Sequence, residues 1–204
     1  QLIGRYDLLA LPVINGGDGA NEHPTQALLD MYTIWRKKPE LNFSIMFCGD
    51  LADGRPVHSW INLIKYLKLP VKVLLNPAEG MDLTTPWKAA IGPHTMVATK
   101  DTDKFLPSTD VLYMTRVQKE RKAPPKTAVI VNSQPDHFVL RPGLLPLMKS
   151  DAMILHPLPR NSEIPTDIDA DPRALYHTEQ VTNGLYLRMA LMQRLLNRNL
   201  FQTS

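Results

Sequence analysis

Short apolar runs alternate with helical stretches through the middle of the chain. Residues 43–48 form a nearly continuous apolar run, which is typical of a strand buried on both faces. Residues 57–69 then carry apolar side chains at helical spacing, and residues 71–76 form the next apolar run. Further short runs lie at 95–98, 110–114 and 152–155. This alternation predicts an α/β fold with a doubly wound parallel sheet.

Two longer helical patterns flank this unit. The first begins near Pro24, because proline suits the first helical position, and His23 is then the N-cap. The second covers roughly 179–197. Each has one apolar face, with Leu28, Met31, Tyr32 and Trp35 on the first and Leu185, Met189, Met192 and Leu196 on the second. Both faces need a partner, which is either the sheet or a domain outside this chain.

Composition narrows the class of protein. Of the 204 residues, 44% are apolar and 21% charged, as in an ordinary globular protein. No apolar run reaches the roughly 18 residues of a membrane span, and the start lacks a signal-peptide pattern, so we expect no membrane partner. The net charge of +3 comes mostly from scattered basic residues, which disfavours nucleic acid as a partner.

The cysteine and histidine usage points to a metal-free protein of the cytoplasm. The single cysteine, Cys48, cannot form an internal disulfide, which fits a reducing, cytoplasmic setting. It lies in an apolar run, where cysteine is usually a small buried side chain. The six histidines show no pair at metal-ligand spacing, so we expect no structural zinc.

Polar motifs directly follow three of the expected strands. These motifs are GDLADGR at 49–55, TRVQKER at 115–121 and HPLPR at 156–160. In a parallel doubly wound sheet, ligands bind outside the carboxyl ends of the strands. The three motifs therefore predict one binding site at a single edge of the sheet.

The residue types at that edge suggest an anionic ligand. Arg55 and Arg116 carry planar guanidinium groups that bind carboxylates through paired hydrogen bonds, and two of them suit a dicarboxylate. The alternative is a surface salt bridge for each arginine. His23 and Gln26 lie in the first turn of a helix, where backbone N–H groups favour negative charge. A plain helix cap explains that turn equally well.

Five segments resemble one enzyme family, aspartate carbamoyltransferase, in the family's order and nearly its spacing. They are INGGDGANEHPTQALLD (14–30), GDLADGRPVHS (49–59), LYMTRVQKER (112–121), ILHPLPR (154–160) and NGLYLRMAL (183–191). The third segment is the most specific, because it separates this family from ornithine carbamoyltransferase. The resemblance implies transfer of a carbamoyl group from carbamoyl phosphate to L-aspartate, an early step of pyrimidine biosynthesis, with no metal or organic cofactor.

The resemblance also implies a role for individual residues. Arg55, Arg116 and Gln118 bind aspartate, and His23 and Gln26 bind carbamoyl phosphate near its carbonyl group. Backbone groups of Leu158 and Pro159 contribute at the same place, with a cis bond before the proline. His23, Arg55 and Arg116 are the catalytic candidates: the aspartate amine attacks the carbonyl carbon, and His23 stabilises the oxygen that gains charge. Glu120 and Arg121 form a supporting layer, with Glu120 orienting Arg116.

The same resemblance divides the chain into three parts. Residues 1–38 correspond to the end of a carbamoyl phosphate domain and an interdomain helix, 39–175 to the aspartate-binding domain, and 176–204 to a second interdomain helix. The family's Ser-Thr-Arg-Thr phosphate loop, and a loop donated by a neighbouring subunit, are expected upstream. We therefore expect a homotrimer in the full-length protein and no activity from these 204 residues alone. The alternatives are a non-catalytic binding or assembly module and a carbamoyltransferase with another amino acceptor.

Overall fold

The computed structural model describes residues 13–19, 21–92, 95–97, 101–117 and 138–196, with the backbone alone for 95–97. It contains a five-stranded sheet. The strands are β1 (Ser44–Gly49), β2 (Lys72–Pro77), β3 (Thr95–Val97), β4 (Val111–Met114) and β5 (Met153–Leu155). Every pairing is parallel, which confirms the predicted α/β sheet to within about a residue at each strand.

The strand order is β3-β2-β1-β4-β5, so β1 lies in the centre. From β1 the chain builds outward to β2 and β3, and then crosses back to build β4 and β5 on the other side. The order reverses between β1 and β4, where Ile45 pairs with Val111. In doubly wound sheets the ligand site lies at this reversal, outside the carboxyl ends of the strands.

Five α-helices accompany the sheet in the described part of the chain. They are α1 (Pro24–Trp35), α2 (Arg55–Leu67), α3 (Thr85–Ile91), α4 (Thr102–Phe105) and α5 (Glu179–Leu196). Short 3-10 turns cover Leu106–Ser108, Pro142–Leu147, Thr166–Ala170 and Leu175–His177. Among these described helices, none is both long and apolar enough to cross a membrane.

Helix α2 lies two residues earlier than the pattern at 57–69 predicted. It begins at Arg55 because Pro56 suits the first turn of a helix. It ends at Leu67 because Lys68 adopts a left-handed conformation, with φ of 51°, which closes the helix. Arg55 therefore sits in the first helical turn and not in a loop before the helix.

The core consists of two apolar layers, one on each face of the sheet. Phe47 and Tyr113 point into one layer with Trp60 of α2, whereas Met46 and Cys48 point into the other. Alternate strand residues thus fill opposite layers, as the pleat of a strand requires. Cys48 is fully buried, and burial raises the pKa of its thiol, so the side chain serves as a small apolar residue.

The predicted apolar face of α1 is not the face that the described part of the chain buries. Of its residues, Leu28, Met31 and Tyr32 are half-buried and Trp35 is exposed. The buried face instead carries Thr25, Gln26, Ala27, Leu29, Asp30, Thr33 and Ile34. This face packs against α2 and α5, and its polar groups are hydrogen-bonded there: Asn183 Nδ2 donates to Thr33 Oγ1 at 3.0 Å. The buried face of α1 therefore combines apolar packing by Ala27, Leu29 and Ile34 with hydrogen-bonded polar groups.

The apolar face of α5 does not pack on the sheet. Its predicted members are between 50 and 77% exposed: Leu185, Met189, Met192 and Leu196. Helix α5 buries Gln180, Asn183 and Gly184 instead. Of the two partners expected for this face, the sheet is thus excluded.

Candidate active site

A cleft of about 210 Å³ lies at the carboxyl edge of the sheet, beside the reversal between β1 and β4. It is lined by His23, Asp50, Asp53, Gly54, Arg55, Pro56, Thr115, Arg116, His156, Pro157, Leu158 and Pro159. The structure therefore brings residues of all three polar motifs around one cavity, together with the residue that precedes α1. The predicted convergence of the motifs is confirmed.

Two glycines allow close approaches of the backbone beside the cleft. Gly49 ends β1 with φ of +108°, and a Cβ atom there would lie 2.3 Å from the backbone oxygen of Thr115. A Cβ atom on Gly54 would lie 2.3 Å from the backbone oxygen of Asp50. Because both distances are far below van der Waals contact, no other residue fits without a shift of the backbone. Gly49 therefore allows the end of β1 to lie against the end of β4, and Gly54 allows the GDLADG segment to fold back on itself before α2.

Arg55 extends into the cleft from the first turn of α2. A Cβ atom on Gly17 would lie 3.2 Å from Arg55 Nη1, so the segment before α1 passes close to this guanidinium group. Within the described ranges, no carboxylate forms a salt bridge with Arg55. Asp50 also lines the cleft, but its carboxylate accepts the backbone N–H of Asp53 at 3.0 Å and not a hydrogen bond from Arg55. The surface salt bridge considered for Arg55 is therefore not observed, and its side chain faces the cavity.

His23 is the N-cap residue of α1, as predicted, but its side chain makes no capping hydrogen bond. The ring lines the cleft, and its Nδ1 lies 3.4 Å from the hydroxyl of Thr25. Burial lowers the pKa of His23, and the positive charges of Arg55 and Arg188 lower it further. A pKa below the ordinary value favours the neutral ring near pH 7, and a neutral imidazole has one N–H to donate.

Helix α2 holds the segment before α1 in place, which sequence reasoning missed. The backbone N–H of His23 donates to Ser59 Oγ at 2.9 Å. Glu22 accepts hydrogen bonds from Asn62 at 2.9 Å and from Ser59 at 3.2 Å. His58 Nδ1 lies 3.2 Å from the backbone oxygen of Asn21. These contacts join polar residues of the two segments, so His23 is fixed relative to Arg55.

The turn after β5 presents Leu158 and Pro159 to the cleft. Their peptide bond is cis, as the resemblance implies, and Leu158 has φ of 56°. The buried His156 supports this turn, because its Nδ1 accepts the backbone N–H of Leu158 at 2.8 Å and its Nε2 lies 3.0 Å from Glu163. Burial alone would raise the pKa of Glu163, but hydrogen bonds from His156 and the Asn161 backbone outweigh it and leave the pKa lowered. His156 therefore holds the turn in place from a buried position.

Gln26 does not line this cleft. It lines an adjacent cavity of about 200 Å³, together with Gln180, Arg188 and other residues. Both cavities share His156, Pro157 and Leu158, so they meet at the turn after β5.

Arg188, in the NGLYLRMAL segment, was not identified from the sequence as a site residue. Its Nη1 donates to the Gly184 backbone at 3.1 Å. The other expected site residues, Gln118, Glu120 and Arg121, lie outside the described residues.

A buried carboxylate behind the site was also missed. Asp30 of α1 is fully buried and accepts hydrogen bonds from Gln26, Trp60, Tyr113 and Gln180. Burial raises the pKa of Asp30 to about 6, against the opposing effect of these four hydrogen bonds.

The described residues contain no group of three His, Cys, Asp or Glu side chains that could hold a metal ion.

A parallel doubly wound sheet with cationic side chains around a cleft at its carboxyl edge has the construction of an α/β protein that binds a small anion. Residues 41–195 match the family model described as aspartate/ornithine carbamoyltransferase, Asp/Orn binding domain. Residues 3–36 match the carbamoyl-P binding domain of the same enzymes. The chain therefore belongs to the aspartate/ornithine carbamoyltransferase family.

Individual relatives agree with this assignment. The aspartate carbamoyltransferase catalytic subunit of Lachnoclostridium phytofermentans is 42% identical, covering 92% of this chain and 61% of the relative. That of Vibrio campbellii is 40% identical, covering 93% and 60%. The Trypanosoma cruzi aspartate transcarbamoylase structure with phosphate has a TM-score of 0.78 at 32% identity, covering 94% of this chain and 64% of that one. This chain spans about three fifths of the length of these curated relatives.

Proposed function

We propose that this chain forms the aspartate-binding part of an enzyme that transfers the carbamoyl group of carbamoyl phosphate to L-aspartate. The products are N-carbamoyl-L-aspartate and phosphate, and the reaction belongs to pyrimidine biosynthesis. The observation that carries the proposal is the single cleft that joins His23, Arg55, Arg116 and the Leu158–Pro159 turn, in a chain of this family. The relatives' name, aspartate carbamoyltransferase, supports aspartate as the acceptor.

Arg55 and Arg116 are proposed to bind the two carboxylates of aspartate. Both line the same cleft, and Arg55 forms no salt bridge within the described part of the chain. A guanidinium fork binds a carboxylate through two charge-assisted hydrogen bonds, which fixes the direction of the carboxylate as well as its position. Gln118, two residues after Arg116, is the third proposed contact to aspartate.

His23 is proposed to stabilise the carbonyl oxygen of carbamoyl phosphate during the attack. A bond forms between the aspartate nitrogen and the carbonyl carbon while the bond from that carbon to the phosphate oxygen breaks. Charge builds on the carbonyl oxygen meanwhile, and a fixed N–H donor lowers the energy of that state. The lowered pKa of His23 keeps its ring neutral, with one N–H to donate. The departing phosphate accepts the proton of the amine, so the protein need supply only positions and donors.

Gln26 is proposed to meet the carbamoyl group through an oxygen. Its Nε2 already donates to Asp30 at 2.9 Å, and no donor within the described residues meets its Oε1. The Gln26 oxygen is a hydrogen-bond acceptor. It therefore suits the N–H groups of the carbamoyl nitrogen, which donate, better than the carbonyl oxygen of carbamoyl phosphate, which also accepts. This narrows the expectation from the resemblance, which placed Gln26 near the carbonyl group.

The assembly and setting of the enzyme are also proposals. We propose a homotrimer, no cofactor, and a cytoplasmic location, on the grounds of the resemblance. Light scattering on the purified native protein tests the trimer, because the expected mass is three times that of one polypeptide. A mass of one or two polypeptides would contradict it.

Two alternatives differ in what they do with the same cleft. A non-catalytic module would bind aspartate without turnover, and another carbamoyltransferase would use another amine. The test is to incubate the native polypeptide that contains these residues with carbamoyl phosphate and either L-aspartate or L-ornithine. Formation of carbamoyl aspartate with no product from ornithine supports the proposal. Product from ornithine alone, or aspartate binding without product, would replace it with one of the alternatives.

A further inference from the structure

We infer that Asp30 is a positioning residue, whose carboxylate holds the side-chain amides of Gln26 and Gln180 in the orientation that the active site needs. This role rests on the proposed function, because it concerns the carbamoyl phosphate side of that site. Asp30 lines neither the cleft nor the adjacent cavity, whereas Gln26 and Gln180 both line the cavity. Asp30 therefore acts through the two glutamines and not by contact with a ligand.

The two oxygens of Asp30 have separate partners. Oδ2 accepts from Tyr113 OH at 2.7 Å and from Trp60 Nε1 at 3.2 Å, both of which belong to the core. Oδ1 accepts from Gln26 Nε2 at 2.9 Å and from Gln180 Nε2 at 2.6 Å. One oxygen is thus anchored in the core while the other holds the two amides that line the cavity.

An ionised carboxylate can only accept hydrogen bonds, so both glutamines must turn a nitrogen toward it. Gln180 then has its oxygen free for the opposite side, where it accepts the backbone N–H of His156 at 3.1 Å. His156 in turn accepts the backbone N–H of Leu158 at 2.8 Å. A continuous chain of hydrogen bonds therefore runs from Asp30 through Gln180 to the turn that lines the cleft.

The charge of Asp30, and not only its shape, decides these orientations. Asp30 is fully buried, and no basic side chain among the described residues pairs with it. Its four hydrogen bonds all come from neutral donors. An asparagine at this position keeps the shape but offers one acceptor oxygen and one donor nitrogen. If its oxygen stays with Tyr113 and Trp60, its nitrogen opposes the two glutamine nitrogens, and their amides must rotate.

The main test compares Asp30→Asn with Tyr113→Phe in the native polypeptide. Both variants lose hydrogen bonds at the same carboxylate, but only Asp30→Asn disturbs the glutamines. We expect Asp30→Asn to lower kcat/KM for carbamoyl phosphate at least about tenfold and to change the KM for aspartate little. Tyr113→Phe lowers the melting temperature but leaves both kinetic constants within about twofold. Equal kinetic losses in the two variants at equal loss of stability would reduce Asp30 to a purely structural residue.

A second variant serves if Asp30→Asn does not fold. Gln180→Met keeps the length of the side chain but removes the link between Asp30 and the His156 backbone. We expect it to lower kcat/KM for carbamoyl phosphate as well, again with little change in the KM for aspartate. Kinetics like those of the unmodified enzyme would contradict the inference.

A spectroscopic measurement separates this inference from the proposed function. In protein labelled with ¹⁵N at glutamine side chains, the amide protons of Gln26 and Gln180 should exchange slowly with solvent, because a buried carboxylate holds them. Asp30→Asn should make that exchange faster, and Tyr113→Phe should not. This result would support the positioning role even if the native polypeptide formed no carbamoyl aspartate, in which case only the proposed function would be wrong. Unchanged exchange in Asp30→Asn would overturn the role of Asp30, whatever the activity.

Discussion

At the scale of single residues, the site depends on what each side chain is bonded to. Arg55 has no salt-bridge partner in the described part of the chain, whereas Gln26 is hydrogen-bonded through its nitrogen to Asp30. Under the proposed function, the first arrangement leaves a charge for the ligand, and the second leaves the Gln26 oxygen, which has no donor in the described part of the chain, to meet it. His23 combines both effects, because its backbone is tied to Ser59 while its ring lines the cleft.

Replacing Arg116 with lysine in the native enzyme should weaken aspartate binding specifically. Lysine keeps the charge but loses the two-pronged geometry of guanidinium. Losing a charge-assisted hydrogen bond costs about 1.5–3 kcal/mol, which corresponds to roughly one to two powers of ten in affinity. We expect the KM for aspartate to rise or kcat to fall by that factor, with carbamoyl phosphate binding little changed. Steady-state kinetics beside Arg141→Lys, at an exposed position, measure the effect, and unchanged aspartate kinetics would remove Arg116 from the site.

At the scale of elements, the site exists because the ends of β1 and β4 come together. The parallel pairing places Cys48 opposite Met114, and the chain at Gly49 then passes directly beside Thr115. The opposite ends of the same strands are joined by Asp110, which accepts hydrogen bonds from the Ser44 backbone at 2.8 Å and from Lys149 at 2.9 Å. The strand pair thus depends on a glycine at one end and on hydrogen bonds to Asp110 at the other.

Gly49→Ala should destabilise the fold and damage the site together. The added Cβ atom would lie 2.3 Å from the Thr115 backbone oxygen, and the φ of +108° disfavours any side chain. Strain of this kind costs about 1–3 kcal/mol, and the steric clash adds to it. Urea unfolding should show this loss, whereas Gly143→Ala should change stability little, because a Cβ atom there meets nothing within 4 Å. Equal stability of the two variants would show that β1 and β4 can separate without cost.

Asp110 should make the protein sensitive to acid. Burial alone would raise the pKa of this carboxyl, but hydrogen bonds from Lys149 and Ser44 outweigh it and lower the pKa to about 2. A lowered pKa means that the carboxylate stabilises the fold above about pH 4 and that this contribution is lost as the pH falls toward 2. We expect about 1–2 kcal/mol, since solvent screens part of the attraction. Urea unfolding between pH 5 and 2.5 should show a smaller acid loss in Asp110→Asn than in the unmodified chain, and an identical loss would contradict the assignment.

At the scale of the whole molecule, we expect the proposed reaction to need donors beyond the described residues. Carbamoyl phosphate carries about two negative charges near neutral pH, and its binding needs several fixed donors. The resemblance places the family's phosphate loop in a part of the enzyme that these 204 residues do not contain. The apolar face of α5 is also exposed, with Leu185 59% and Leu196 77% accessible. The resemblance thus predicts phosphate contacts from elsewhere in the enzyme, and the structure leaves this face of α5 exposed.

Residues 1–204 expressed alone should therefore not catalyse carbamoyl transfer. Each donor of this kind contributes about 3–4 kcal/mol in well-studied sites, so losing several should lower the rate below detection, although such losses are not additive. Weak dicarboxylate binding through Arg55 and Arg116 should survive. Carbamoyl aspartate formation is measured beside the native polypeptide, and turnover close to that of the longer protein would show that the phosphate donors lie within these residues.

The sequence by itself determined the sheet and the edge at which the site lies. A strand that is buried on both faces has a nearly continuous apolar run such as 43–48, and this local pattern is enough to identify it in the sequence. The motifs that follow the strands could be placed at one edge because all strands of a parallel sheet point the same way. The residue roles, and the division of the chain at 38 and 175, stay predictions.

The tertiary structure decided what stands behind the site. The apolar pattern of α1 did not show its buried face, because that face carries polar groups that find hydrogen-bond donors only when α2, β4 and α5 pack against it. Tyr113 and Gln180 lie 83 and 150 positions from Asp30, so no local pattern could connect them. For the same reason the sequence could not show that Gln26 lines a separate cavity and donates to Asp30 through its nitrogen. A buried charge is stabilised by whichever groups the fold brings to it, and those groups are known only once the chain is folded.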